Sequence, residues 1–155
     1  MSIEDTDSAA TLYFQKLYPL GVDAMVEAVE AVDRGRARPQ PQDEARASFQ
    51  GLVTDDVARI DWSRSAEHLG RQLRGCDPSP GAWSERASGE PVRFFDARVV
   101  AAQASEAPGT VIDLDDGRLV LAARGGNLSV GKLRVGTGAK GAASAGGLEI
   151  GERLR

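Results

Sequence analysis

The stretch Ile60–Trp83 constrains this chain most, because its prolines forbid most continuations. Asp77-Pro78-Ser79-Pro80-Gly81 cannot lie inside a helix: proline lacks the amide proton and restricts the residue before it. Any upstream helix must therefore stop by residue 76. Ala66, Leu69 and Leu73 fall on one helical face, Ser63 stands where an N-cap belongs, and Gly75 sits at the stop position. The reading is an extended entry (Arg59-Ile60-Asp61-Trp62), a helix over 63–75, and a stiff, turn-rich exit ending at Trp83. Both tryptophans, the single histidine (His68) and the single cysteine (Cys76) fall in this stretch.

Downstream the pattern changes from helical to extended. Residues 91–100 (PVRFFDARVV) are rich in β-formers with partial alternation. Residues 101–108 read as a small polar loop. Thr110–Leu114 makes a strand, Asp115-Asp116-Gly117 a tight turn, and Arg118–Ala122 the return. Arg124–Asn127 turns into a strand over 128–135. A glycine-rich stretch, 136–147, leads to Leu148-Glu149-Ile150 and the last residues. Most of the 18 glycines lie in this half, where they mark turns between short strands. Short strands at such spacing imply a small barrel over 90–155.

Upstream the pattern is helical. Thr6 can cap a helix over about 7–18, which Pro19 and Gly21 should interrupt. A second helix, 21–34, carries the stripe Val22, Met25, Val26, Val29 and Val32, with Asp23, Glu27 and Glu30 facing away. Residues 1–35 thus form a helical segment, 36–48 a proline-containing linker, and 49–155 the larger domain. The apolar stripe needs a cover, so the 21–34 helix is expected to meet a partner chain or a second copy.

Composition excludes several chemistries. One cysteine rules out an intramolecular disulfide and a thiolate metal cluster. The sequence has no apolar run long enough for a membrane span and no leader pattern, so the expected location is cytoplasmic. His68 has no second imidazole nearby and reads as a surface or half-buried structural residue. Cys76 follows a helix C-terminus, which disfavours a thiolate. No nucleophile–base pair or metal cluster can be assembled, so no catalytic, cofactor or metal residue is assigned. Gly136–Gly141 lacks the hydroxyl after Lys140 that a phosphate loop needs.

Charge bears on nucleic acid. The net charge is −4, and residues 89–155 carry nine Lys/Arg against eight Asp/Glu. Phosphate neutralisation calls for a clear basic excess, so weak or no tRNA binding is expected. The basic candidates are Arg93, Arg98, Arg118, Arg124, Lys132 and Arg134. Arg118, Lys132 and Arg134 are the residues expected to face RNA if any do.

The order of these motifs resembles one family. Ile60-Asp61-Trp62-Ser63, a helix, Arg74-Gly75, two prolines, Trp83, then Gly89-Glu90-Pro91-Val92 and a strand are similar to the C-terminal part of methionyl-tRNA formyltransferase and related folate-dependent formyltransferases. Asp5-Thr6 with Lys16-Leu17, Pro41-Gln42-Asp43-Glu44, Ala47-Ser48-Phe49 and Pro108-Gly109-Thr110-Val111 agree in order and spacing. The resemblance implies an α+β chain: N-terminal helices and a linker, then a small open β-barrel of oligonucleotide-binding-like type. It implies a parent reaction in which 10-formyltetrahydrofolate gives its formyl group to an amine. The catalytic Asn, His and Asp motifs of such enzymes do not occur in these residues, so the chain by itself is expected to be inactive.

The same resemblance offers Asp61, Trp62, Arg74 and Trp83 as interdomain or substrate-orienting residues. Ser79 stands where the methionyl-tRNA enzymes carry a tryptophan, and Lys140–Leu148 is poor in charge where theirs is not. A small amine therefore stands beside methionyl-tRNA as acceptor. Two other expectations remain: a free-standing barrel binding RNA or another ligand, and an inactive gene remnant.

Overall fold

The computed structural model of the chain describes residues 1–101 and 105–155. Within the polar loop expected over 101–108, positions 102–104 lie outside the described residues. The chain divides into two compact units, Met1–Leu52 and Val53–Arg155.

The first unit is built on one helical run. Ser8, not Thr6, caps it: its hydroxyl accepts the Thr11 amide while the Thr11 hydroxyl accepts the Ser8 amide. Helix α1 (Ala9–Thr11) passes into a π-helical stretch (Leu12–Leu17) and then α2 (Tyr18–Asp33). The expected interruption at Pro19 and Gly21 does not occur. Pro19 sits in the first turn of α2, where a missing amide costs least. The widened turn before it, in which the Tyr18 amide donates to the Tyr13 carbonyl, makes room for the proline ring. Lys16 pairs with Asp7 across the start of the run. The stripe Val22, Met25, Val26, Val29 and Val32 is exposed along its length.

Among its described residues the second unit has four-residue helix α3 (Asp55–Ala58), helix α4 (Ala66–Gly75) and six strands: β1 (Ala82–Glu85), β2 (Pro91–Val100), β3 (Val111–Asp115), β4 (Arg118–Ala123), β5 (Gly126–Val135) and β6 (Gly141–Ala142). All pair antiparallel, in the order β1-β2-β5-β4-β3, with β6 on β5. The fold is α+β, an open, barrel-like sheet with a helix packed on it.

Helix α4 begins later than the 63–75 expected. Ser65 is its N-cap, its hydroxyl accepting the His68 amide. Ser63 lies instead in a tight turn before the helix, closed by its amide donating to the Asp61 carboxylate. Gly75 is the last helical residue rather than the stop, and Cys76 is the cap. The apolar face is as read: Ala66, Leu69 and Leu73 are buried against the sheet. Gly70 lets the helix approach closely, since a β-carbon there would lie 2.4 Å from Val99 Cγ2.

The barrel starts at β1, ahead of the expected residue 90. Four residues after a proline turn carry too little periodicity to be seen in sequence, yet β1 pairs with β2 along its whole length. The β3–β4 hairpin turns through Asp116 and Gly117, both at positive φ (47° and 76°), as a twist-compatible two-residue loop requires. Leu148–Ile150 does not extend as a strand. Residues 151–155 instead run between β3 and β1, the two edges of the sheet. The Arg155 amide donates to the Glu85 carbonyl at 2.8 Å, and the Leu154 amide to the Gly109 carbonyl at 3.0 Å.

The core joins α4 to both ends of the sheet, with Phe94, Leu69, Leu73, Leu119, Leu121 and Leu128 among its fully buried members. Along β2 the inward positions are Val92 and Phe94, then Ala97; along β5 they are Leu128 and Val130, then Leu133. Both strands thus skip an extra residue at the same level, between the pairs Phe95↔Lys132 and Ala97↔Val130. Asp96 at φ 53° marks the bend. Gly131 is required there because a β-carbon would fall on the Asp96–Arg118 ion pair.

No helix of the described residues is long and apolar enough to cross a membrane.

Candidate functional site

The Asp61-Trp62-Ser63 turn lies at the meeting point of two concave surfaces. A cleft of 810 Å³ runs along Trp62, Ala87, Pro108 and the closing residues 152–155. A shallower groove of 690 Å³ runs past Arg64, Ser65, His68, Arg124 and Gly125. Asp61 and Ser63 line both.

The turn is held rigidly from below. Trp62 Nε1–H donates to Ser84 Oγ at 2.9 Å, and the Ser84 hydroxyl donates to the Arg155 carbonyl at 2.6 Å. Ser84 is fully buried, so this two-bond relay has no water to compete with it. The indole rests on Gly109, where a β-carbon would be 3.2 Å from the ring. Arg124 fixes the other side, donating to the Ser63 carbonyl at 2.8 Å. The Asp61 carboxyl is held below the usual carboxylate range by its bonds from the Ser63 hydroxyl and amide, with help from Arg64. It is an anion at neutral pH.

Charge gathers around this turn. Arg64, Arg124, Arg153 and Arg155 line the two surfaces, against Asp61 and Glu152. Glu152 is itself neutralised by Arg86, which grips it through two bonds of 2.7 and 3.0 Å. The cleft and groove are therefore net cationic in a chain of net charge −4.

The other expected site residues lie elsewhere. Trp83 donates to the Asp55 carbonyl at 2.7 Å and carries the Arg59 guanidinium 5.0 Å above its ring. Arg93 grips Asp55 through two 2.8 Å bonds and keeps that carboxyl below its usual range. This cluster clamps α3 onto β1. Arg74 is half-buried on α4 and lines neither surface. Arg118 spends its donors inside the sheet, on the Asp96 carboxylate at 2.6 Å and the Ser129 hydroxyl at 2.8 Å. Lys132 and Arg134 occupy alternate positions of β5; Lys132 is exposed and Arg134 half-buried.

Sequence reasoning passed over His68, Arg153 and Arg155 as site residues. His68 is one turn into α4 beside the groove. The two arginines come from the closing segment, whose place depends on pairing with residues far away in sequence, so no local signal marks them. Cys76 is buried, which pushes its thiol up and makes it a poor nucleophile. Among the described residues no group of three or more His, Cys, Asp or Glu side chains is arranged to hold a metal.

A small barrel-like α+β module with a rigid tryptophan turn is the class that this geometry defines. The family described as formyl transferase, C-terminal domain, matches residues 52–145. Similar proteins include methionyl-tRNA formyltransferase of Roseiflexus sp. (strain RS-1), 42% identical over 112 residues, 72% of this chain and 34% of that protein. Methionyl-tRNA formyltransferase of Thiobacillus denitrificans is 38% identical over 133 residues, 85% of this chain and 42% of that one. Human mitochondrial 10-formyltetrahydrofolate dehydrogenase is 37% identical over 112 residues, but only 12% of its length is covered. HypX from Aquifex aeolicus has the same fold, with a TM-score of 0.76 at 24% identity over 94% of this chain and 26% of that one. The chain belongs to the formyl transferase C-terminal domain family. It spans between about a tenth and two fifths of the curated relatives it matches.

Proposed function

We propose that this chain is a non-catalytic C-terminal module that supports formyl transfer from 10-formyltetrahydrofolate to an amine, the chemistry being done by a formyltransferase catalytic domain. The observation that carries the reading is the Trp62 turn: family motif residues locked by Ser84 and Gly109, opening onto a net cationic cleft. A rigid cationic surface suits orientation of an acceptor better than chemistry, because it offers arginines and a carboxylate but no activated nucleophile. The acceptor is methionyl-tRNA or a small amine.

The exposed stripe of α2 supports a docking role. Tyr13, Leu17, Tyr18, Val22, Met25 and Val26 line an apolar groove of 520 Å³ on the helix. Burying each Val or Met is worth roughly 1.5–3 kcal/mol. A catalytic domain or a second copy would collect that energy.

The test is a two-component assay. The chain alone, given 10-formyltetrahydrofolate and a panel of amines, should show no turnover, since groups that polarise the formyl carbonyl and shuttle the proton are missing from its sequence. Added to a formyltransferase catalytic domain, it should raise kcat/KM, and Val26→Asp should remove the gain. Turnover by the chain alone that His68→Ala abolishes would overturn the proposal.

Affinity for tRNA should be weak, roughly 10⁻⁴–10⁻⁶ M at physiological salt, as for non-specific binding. Arg93 and Arg118 are already spent on Asp55 and Asp96. Filter binding across salt concentrations measures this. Nanomolar affinity with a steep salt slope, reduced by Lys132→Glu or Arg134→Glu, would make the barrel an RNA-binding module instead.

A further inference from the structure

The sheet has two edges, β1 and β3, and residues 151–155 fill the space between them. On the β3 side, the Gly151 amide donates to the Val111 carbonyl at 2.8 Å and the Val111 amide to the Glu152 carbonyl at 2.8 Å. The Leu154 amide donates to the Gly109 carbonyl at 3.0 Å. On the β1 side, Arg155 and Glu85 exchange amide-to-carbonyl bonds of 2.8 and 3.1 Å. One side chain of the segment enters the core: Leu154, 1% exposed. One ion pair, Glu152 with Arg86, fixes its register.

These are the parts of a strand-addition site: backbone bonds for hold, an apolar anchor and a charged pair for register. The segment is joined to what precedes it by a short turn, in which the Glu152 amide donates to the Glu149 carbonyl at 3.0 Å. Gly147 and Gly151, at φ +68° and +89°, bracket a connector in which Ile150 is 63% exposed. The segment's bonds go to the two edges of the sheet, whereas β5 lies in the middle, between the long ladders with β2 and β4. Local opening of 151–155 therefore needs less free energy than opening of the central strands.

We infer that residues 151–155 are an exchangeable closing strand. The slot between β1 and β3 binds an extended Gly-Glu-x-Leu-x segment, filled here by the chain's own residues and able to take the same segment from a second copy. The backbone bonds, the Leu154 anchor and the Arg86 pair are the same in either arrangement, which is what makes strand exchange between copies inexpensive.

The experiment uses the full chain, the full chain carrying Leu154→Ala, and a fluorescent octapeptide of residues 148–155. Leu154→Ala loosens the resident strand without removing it. The octapeptide should bind the Leu154→Ala chain at least tenfold more tightly than the wild-type chain. An octapeptide carrying Leu154→Asp should bind neither. Equal binding to the two chains, or equal binding by the two peptides, overturns the inference.

Should Leu154→Ala fail to fold, hydrogen exchange on the wild-type chain decides. The amides of Glu85, Val111, Leu154 and Arg155 should exchange together, at least tenfold faster than those of Val130 and Leu133. Exchange at one common rate would mean that the segment opens only with the whole barrel.

Discussion

Gly109→Ala should destabilise the barrel by about 3 kcal/mol or more. Two costs add. Gly109 has φ +88°, where a residue with a β-carbon costs about 1–3 kcal/mol. The new β-carbon would also lie 2.9 Å from the Leu154 carbonyl oxygen and 3.2 Å from the Trp62 ring. The first neighbour is backbone and the second is held by Ser84, so neither yields easily, and overpacking of this kind costs about 1–3 kcal/mol. Gly117→Ala is the control. Its φ is +76°, but the nearest atom to an added β-carbon is Ser144 Oγ at 4.0 Å, so only the backbone cost applies. Urea unfolding of both variants separates the two contributions. Equal losses would mean that Gly109 is there for its backbone alone and that the contact with the closing segment is soft.

Phe94→Ala should cost about 3–5 kcal/mol, the range for a fully buried phenylalanine. Phe94 is 0% exposed in the core between the sheet and α4. Its neighbour Phe95 is also buried but belongs to the other face, with Lys140 Nζ 3.6 Å above its ring and Gly81 beneath it. Phe95→Leu keeps an apolar side chain there and should lose mainly the cation–π contact with the exposed Lys140, about 0.5–1 kcal/mol. Thermal melts of both variants test the assignment. A larger loss for Phe95→Leu than for Phe94→Ala would reverse the two faces.

Local rules made much of the fold legible. The stripe Ala66, Leu69 and Leu73 marked α4 and its buried side, because a helical period is written within three turns. Asp116-Gly117 marked the hairpin, because positive φ is cheap for few residues. Local rules also misled where a second local interaction outbid the first. Ser63 and Ser65 are both fit caps, and the helix starts at Ser65 because Asp61 holds Ser63 in the turn ahead of it. Pro19 reads as a break, and a π turn before it absorbed the proline instead.

The site was legible by half. Asp61 and Trp62 were singled out from the motif they share with a family, and they do line a cleft. Their supports were not visible: Ser84, Gly109 and Arg155 stand 22, 47 and 93 residues from Trp62 in sequence, and each is an ordinary residue in its own neighbourhood. Nor could a charge count find the cationic cleft. It arises because Arg86 cancels Glu152 while Arg64, Arg124, Arg153 and Arg155 converge on the same turn.

By itself, then, the sequence determined what is set by contacts a few residues apart: where α4 lies and which face it buries, where the chain turns, and the family to which its motif order belongs. Tertiary structure alone decided which of Phe94 and Phe95 points inward, since that depends on the shared bend of β2 and β5 at Asp96. It alone decided that residues 151–155 close the sheet, since backbone pairing is indifferent to side-chain identity and leaves no mark in the composition of either partner.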